Sequence, residues 1–192
     1  MLSKPGLRIF LFLLAFTLEV RIAKAAFEEP RGCLLSKAEN CAVKTGDEKF
    51  TLKFPNGEIV LDQSTAVILS EKKLVLVNGT VWVRAHGPVT VSTEFGDAKS
   101  SGEFWVSRST ARMNVSAVSE TVELTPRGAS EALSVDPGLE NYVSGVQKDG
   151  TAETGLPIAI PFSEHVTRWA RLFTGKKADF EDQVDRFHAT WV

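Results

Sequence analysis

The side chains of this sequence that could do chemistry are three histidines, two cysteines, four tryptophans and a scatter of Asp and Glu. His86, His165 and His188 are far apart. None has a second His, Cys or carboxylate at metal-ligand spacing, apart from Asp185 three residues before His188, so no metal is expected. No Gly-x-Ser-x-Gly, Ser-x-x-Lys or Cys-His arrangement is present, and no phosphate loop or dinucleotide fingerprint, so no cofactor is expected either. Carboxylates are plentiful, and two meeting in a cleft would make an acid/base pair. On a β surface they are far more often merely solvated. The expectation is therefore a protein that is not an enzyme, with a hydrolase using an unrecognised carboxylate site kept as an alternative.

Cys33 and Cys41 bracket the short segment CLLSKAENC. Seven residues lie between the thiols and no histidine is near, which suits neither a zinc site nor a redox pair. A structural disulfide is expected, contributing about 2–3 kcal/mol by the chain-entropy argument.

The tryptophans are the most informative residues. In Val81-Trp82-Val83 and Phe104-Trp105-Val106 the neighbours point to one face of a strand and the indole to the other. Both faces then carry apolar bulk. Either the chain's own tail covers the indole face, with Trp169 and Trp191 packing toward it, or Trp82, Trp105, Trp169 and Trp191 form an aromatic strip for a partner. Large exposed apolar patches are rare in monomers, which favours the cover.

These residues need elements to position them. From Phe50 onward short segments alternate apolar and polar residues: Ile59–Leu61, Ala66–Leu69, Leu74–Val77, Val81–Val83, Val89–Val91, Phe104–Val106, Met113–Val118, Val122–Leu124 and Leu133–Val135. Turn signals such as Asn78-Gly79, His86-Gly87-Pro88, Gly96-Asp97 and Pro126-Arg127-Gly128 separate them. The fold class is mainly β, stacked short strands in a solenoid- or sandwich-like unit. Asn78-Gly79-Thr80-Val81-Trp82-Val83 and Ser101-Gly102-Glu103-Phe104-Trp105-Val106 look like two copies of one repeat. Leu156 to Phe162 is extended and stiffened by Pro157 and Pro161. Ser163 is expected to cap a helix with Val166, Trp169, Ala170 and Phe173 on one stripe and Gly175 as its C-cap. Asp179 should open a second helix with a stripe of Phe180, Val184, Phe187 and Trp191, and Asp182 can pair with Arg186. The chain thus ends in an α-helical hairpin.

Lys4 and Arg8, the apolar run Ile9 to Leu18, and Ala23-Lys24-Ala25 read as a signal peptide cleaved after Ala25. The alternative, a membrane anchor, needs about 20 apolar residues, and Glu19, Arg21 and Lys24 interrupt this run. No later stretch could span a bilayer. Cys33 follows Pro30-Arg31-Gly32, a poor context for lipidation. Of 192 residues, 43% are hydrophobic and 24% charged, enough apolar material for a real core. Without the leader, Lys4, Arg8, Arg21, Lys24 and Glu19 are lost and 18 basic and 23 acidic residues remain. An acidic chain without an aromatic-basic patch is a poor partner for nucleic acid. The organisation expected is a signal peptide at 1–25, a cysteine-bearing segment at 26–55, a β domain at 56–145, a Pro-containing linker at 146–162 and the helical hairpin at 163–192.

The β region resembles the FecR domain, a family named for a bacterial iron-citrate transport regulator. The matching segments run in order: NGEIVLDQSTAVIL from Asn56, KLVLVNGTVWVRA, VTVSTEFGDAKSSGEFWVSR, VELTPRG and VDPGLENYVSG. Within them, Thr93-Glu94-Phe95-Gly96 matches the family's T-x-x-G turn and Gly102-Glu103-Phe104-Trp105-Val106 its G-x-F-x-V block. Pro137-Gly138 and Gly145 match the closing segment. The resemblance implies a β platform outside the inner membrane that acts through protein contacts. The regulator also carries a cytoplasmic anti-sigma segment and a membrane span; here a signal peptide stands in their place. What it implies for this chain is a stand-alone periplasmic or cell-surface module, non-catalytic, contacting another envelope protein or a cell-wall polymer. A structural subunit that docks through its C-terminal helices is the alternative.

Overall fold

The computed structural model describes residues 41–54, 56–69, 73–146 and 148–191. The signal peptide and Cys33 lie outside the described residues, and with them the Cys33–Cys41 pairing. The strands are β1 (Cys41–Lys44), β2 (Phe50–Phe54), β3 (Gly57–Leu61), β4 (Ala66–Leu69), β5 (Leu74–Ala85), β6 (Val89–Ser92) and β7 (Gly96–Ser100). There follow β8 (Glu103–Arg108), β9 (Arg112–Ala117), β10 (Val122–Pro126), β11 (Leu133–Val135), β12 (Leu139–Val146), β13 (Ala152–Thr154) and β14 (Ile158–Ala159). Two helices end the chain, α1 (Phe162–Leu172) and α2 (Lys177–Trp191).

The strands form one sheet folded over at β5 into two layers. The first layer runs β2-β3-β5-β8-β9-β12, with β13 and β14 on the far side of β12. The second runs β1-β4-β5-β6-β7-β10-β11. β5 serves both because it bends. Its first half, from Leu74, pairs with β4 and β6, and its second half, to Ala85, with β3 and β8. The bend falls at Asn78-Gly79, which the sequence offered as a turn; the chain changes layer there without reversing. Gly79 sits at φ +98, and a Cβ on it would lie 2.7 Å from Thr65 Cα, so only glycine fits. The register with β4 also shifts here, Ala66 lying opposite Asn78 and Val67 opposite Leu76, and just past the bend Thr65 Oγ1 accepts from Thr80 N and donates to Thr80 O, both at 3.1 Å.

Alternation decides what each layer buries. Val81, Val83, Phe104, Val106 and Val115 face inward and meet Leu74, Leu76, Val91, Leu124 and Val135 of the second layer. The two tryptophan blocks are not successive coils. β5 and β8 are antiparallel neighbours that place Trp82 opposite Trp105, whereas a solenoid would stack its copies in parallel. β5·β6 is the one parallel pairing among the described strands.

The helical hairpin is present, with shifted ends. Pro161 is the N-cap of α1, without a side-chain bond, and Ser163 lies inside the helix. Pro161 takes the place because its fixed φ suits the entry and its carbonyl accepts from His165 N at 3.0 Å. The helix closes at Phe173, two residues before Gly175. The buried stripe is rotated: His165, Trp169 and Leu172 face the sheet, and Ala170 faces water. Across one turn of α2, Arg186 Nε donates to the Asp182 main-chain carbonyl at 3.3 Å. No helix among the described residues is long and apolar enough to cross a membrane.

Candidate functional site

The outer face of the first layer carries the residues singled out by sequence. Pairing of β3, β5 and β8 puts Val60, Trp82 and Trp105 in one row and Glu58, Arg84 and Glu103 in the next. The two indoles stack, centroids 5.6 Å apart and planes 14° from parallel. Trp169 of α1 meets Trp82 edge-on at 6.5 Å. Phe180 and Phe187 of α2 each lie 5.2 Å from Trp169. Trp82 and Trp169 are 0% exposed and Trp105 1%. Cover by the chain's own tail is therefore the arrangement present, and these three indoles meet a partner only if the hairpin lifts. The backbone of Trp191 ends α2; its side chain lies outside the described residues.

The hairpin is fastened at its elbow. Lys49 Nζ donates to the carbonyls of Arg171 and Phe173, at 3.3 and 2.7 Å, where the end of α1 leaves acceptors unmet. Arg171 pairs with buried Asp62. Thr174 Oγ1 donates to Glu58 Oε1 at 3.1 Å.

Beside the stack lies a polar group that sequence reasoning missed. The Arg84 guanidinium sits 4.4 Å over the Trp82 ring and 5.5 Å from Phe173. Its Nη1 donates to Glu58 Oε1 at 3.3 Å, and its Nη2 is buried without a hydrogen-bond partner. Glu103, 9% exposed, accepts a 2.9 Å bond from Trp82 Nε1. Burial pushes its carboxyl up from 4.5 to about 7, against the pull of Arg84 and of the indole bond. Glu103 and Arg84 open onto a cleft of about 520 Å³, which His86, Ser119, Glu120 and Gln183 also line. The signal for this group was the register. Arg84 and Glu103 each stand two residues from a tryptophan, so pairing of the indoles pairs them too.

The histidines go three ways. His86 is exposed at the cleft, and His188 is exposed on α2 with its ring 4.9 Å from Phe162. His165 is 1% exposed, and burial, then Arg168, lowers it from 6.5 to about 4. Among the described residues no group of three or more His, Cys, Asp or Glu is placed to hold a metal ion. Cys41 opens β1, beside Leu69 of β4.

No family model matches the chain, and no curated protein does. Solved structures similar to it include two from one source. Both are of what is described as "a putative anti-sigma factor" from Parabacteroides distasonis ATCC 8503, at 2.50 and 1.65 Å resolution. Each is 16% identical; they cover 70% and 69% of this chain and 75% and 74% of their own, with TM-scores of 0.49 and 0.48. A likeness of that size assigns neither an activity nor a partner.

Proposed function

We propose that the chain is an exported, FecR-like, non-catalytic module that holds another envelope protein or a cell-wall polymer outside the cytoplasm. The observation that carries this reading is the division of the outer sheet face. Its β3-β5-β8 half is sealed under the hairpin. Its β9-β12-β14 half lies outside that seal, beyond buried Ser116, and bears exposed apolar side chains: Leu156, 84% exposed, Ile158, 56%, and Tyr142, 38%, whose ring Arg112 overlies at 5.6 Å. Pro157 and Pro161 stiffen the segment bearing them, so little chain entropy is lost on contact. The leader-like residues 1–25 and the resemblance of residues 56–145 support the location. Capture from envelope extract tests it: the full chain should retain a partner that the Leu156→Glu, Ile158→Glu variant loses at unchanged thermal stability. Equal capture by both would refute the assignment of this face. A tryptophan contact predicts instead that capture survives that variant and fails with Trp82→Ala.

One observation favours a second reading. Glu103 keeps its proton close to neutrality in a cleft that also holds Glu120, as a general acid of a hydrolase would. Hydrolysis of envelope polysaccharide that Glu103→Gln abolishes would establish it, and its absence would leave the binding role.

A further inference from the structure

The cleft of about 520 Å³ beside the indole stack is built from three parts of the chain: the end of β5, the start of β8 with the β9–β10 connection, and α2. Its size lies within the range of about 300–1,000 Å³ usual for small-molecule sites. Main-chain bonds fix its sheet wall. Ala85 N donates to Gly102 O at 3.3 Å, Ser119 N to Glu103 O at 3.2 Å, and Glu103 N to Ser119 Oγ at 2.8 Å. The last of these leaves the Ser119 O–H to donate elsewhere.

Arg84 and Glu103 are register partners on β5 and β8, yet no ion pair joins them. Arg84 Nη1 goes to Glu58 and Glu103 to Trp82 Nε1, and Arg84 Nη2 is left buried without a partner. On the helix wall, Gln183 Oε1 is buried without a partner as well. One cleft thus holds an unmet donor on the sheet and an unmet acceptor on α2, and native folds rarely leave such groups unused. Charge then selects what meets them. An ammonium would face the Arg84 guanidinium. A carboxylate would face Glu120 and ionised Glu103. A hydroxyl offends neither, because it accepts from Arg84 and donates to Glu103 or Gln183. It also suits Glu103 with or without its proton, and burial holds that carboxyl at about 7.

We infer that the cleft between β5, β8 and α2 is a binding site for a neutral sugar unit, with one hydroxyl bridging Arg84 and Glu103 and another donating to Gln183. The bond from Arg84 to Glu58 is long at 3.3 Å, and a turn of the guanidinium and of the Gln183 amide brings their inward atoms to the sugar. No Trp, Tyr or Phe lines the cleft among the described residues, so hydrogen bonds alone hold the ring and the affinity is expected in the millimolar range. The site needs neither the Leu156 face nor turnover at Glu103. In a cell-wall polymer it would take one sugar of the chain, and that extension rests on the proposed function.

NMR titration of the full chain with glucose, which has no glycosidic bond to cleave, tests the site. The Trp82 Nε1–H and Gln183 side-chain amide signals should shift together and saturate. Gln183→Ala, on the outer helix, should weaken binding about fivefold, the loss of one hydrogen bond. Glucosamine and glucuronate, which carry an ammonium and a carboxylate, should bind at least about tenfold more weakly than glucose. Absence of saturation up to about 100 mM glucose would overturn the inference. So would tighter binding of either charged sugar, or a Gln183→Ala chain that folds and binds as before. The Leu156→Glu, Ile158→Glu variant should bind glucose unchanged. Loss of partner capture by that variant alone and loss of glucose binding by Gln183→Ala alone therefore report on different sites.

Discussion

Trp82 joins four contacts at the hairpin seat: the stacked face of Trp105, the edge of Trp169, the Arg84 guanidinium, and Glu103 through its N–H. Truncating it removes a large buried side chain from a closed site. Trp82→Ala should cost about 3–5 kcal/mol in urea unfolding. Trp82→Phe keeps much of the packing and deletes the bond to Glu103. That bond favours the ionised carboxyl, so its loss should move the Glu103 titration above about 7 by NMR. The burial of Trp82 was legible in the alternation of its strand. The roles of Arg84 and Glu103 were not, because they depend on which strand lies beside β5 and in which direction. Taking the two tryptophan blocks as a repeat hid an antiparallel pair. His165 is hidden for another reason: imidazole is polar, so the apolar pattern of α1 points to Val166 and Ala170, whereas the buried stripe runs through His165 and Leu172.

Among the elements, strands whose apolar residues recur at every second position were plain in the sequence: β3, β4, β6, β8, β9 and β10. β7 reads Gly-Asp-Ala-Lys-Ser, and its inward residue Ala98 is too small to mark a face. β12 to β14 fall where Gly, Pro and polar residues dominate, and their pairing on one another is long-range information. The sequence of β5 reads as two strands because Asn-Gly so often reverses a chain. The bend is what allows one strand to serve two layers. Gly79→Ala should therefore destabilise by more than about 1 kcal/mol in chemical denaturation, since φ +98 and the contact with Thr65 both exclude a Cβ. A neutral result would mean that the layer change tolerates another backbone geometry.

For the molecule as a whole, two apolar cores share the first layer: one between the layers, one between that layer and the hairpin. Because the same strands line both, the hairpin and the sheet should unfold together. Far-ultraviolet dichroism and tryptophan emission should give one coincident transition. The shared seat also changes how truncation reads. A chain ending after Phe162 would bare Trp82 and Trp105, and what it captured would report loose indoles rather than a native partner.

The packing of the tail on the tryptophan face has its most direct test in solution NMR of the indole-labelled full chain. The account predicts cross-relaxation between the Trp82 and Trp169 rings, with the Trp82, Trp105 and Trp169 Nε1–H signals shielded from a soluble paramagnetic agent. Bleaching of those three signals together, with no contact between the rings, would contradict it.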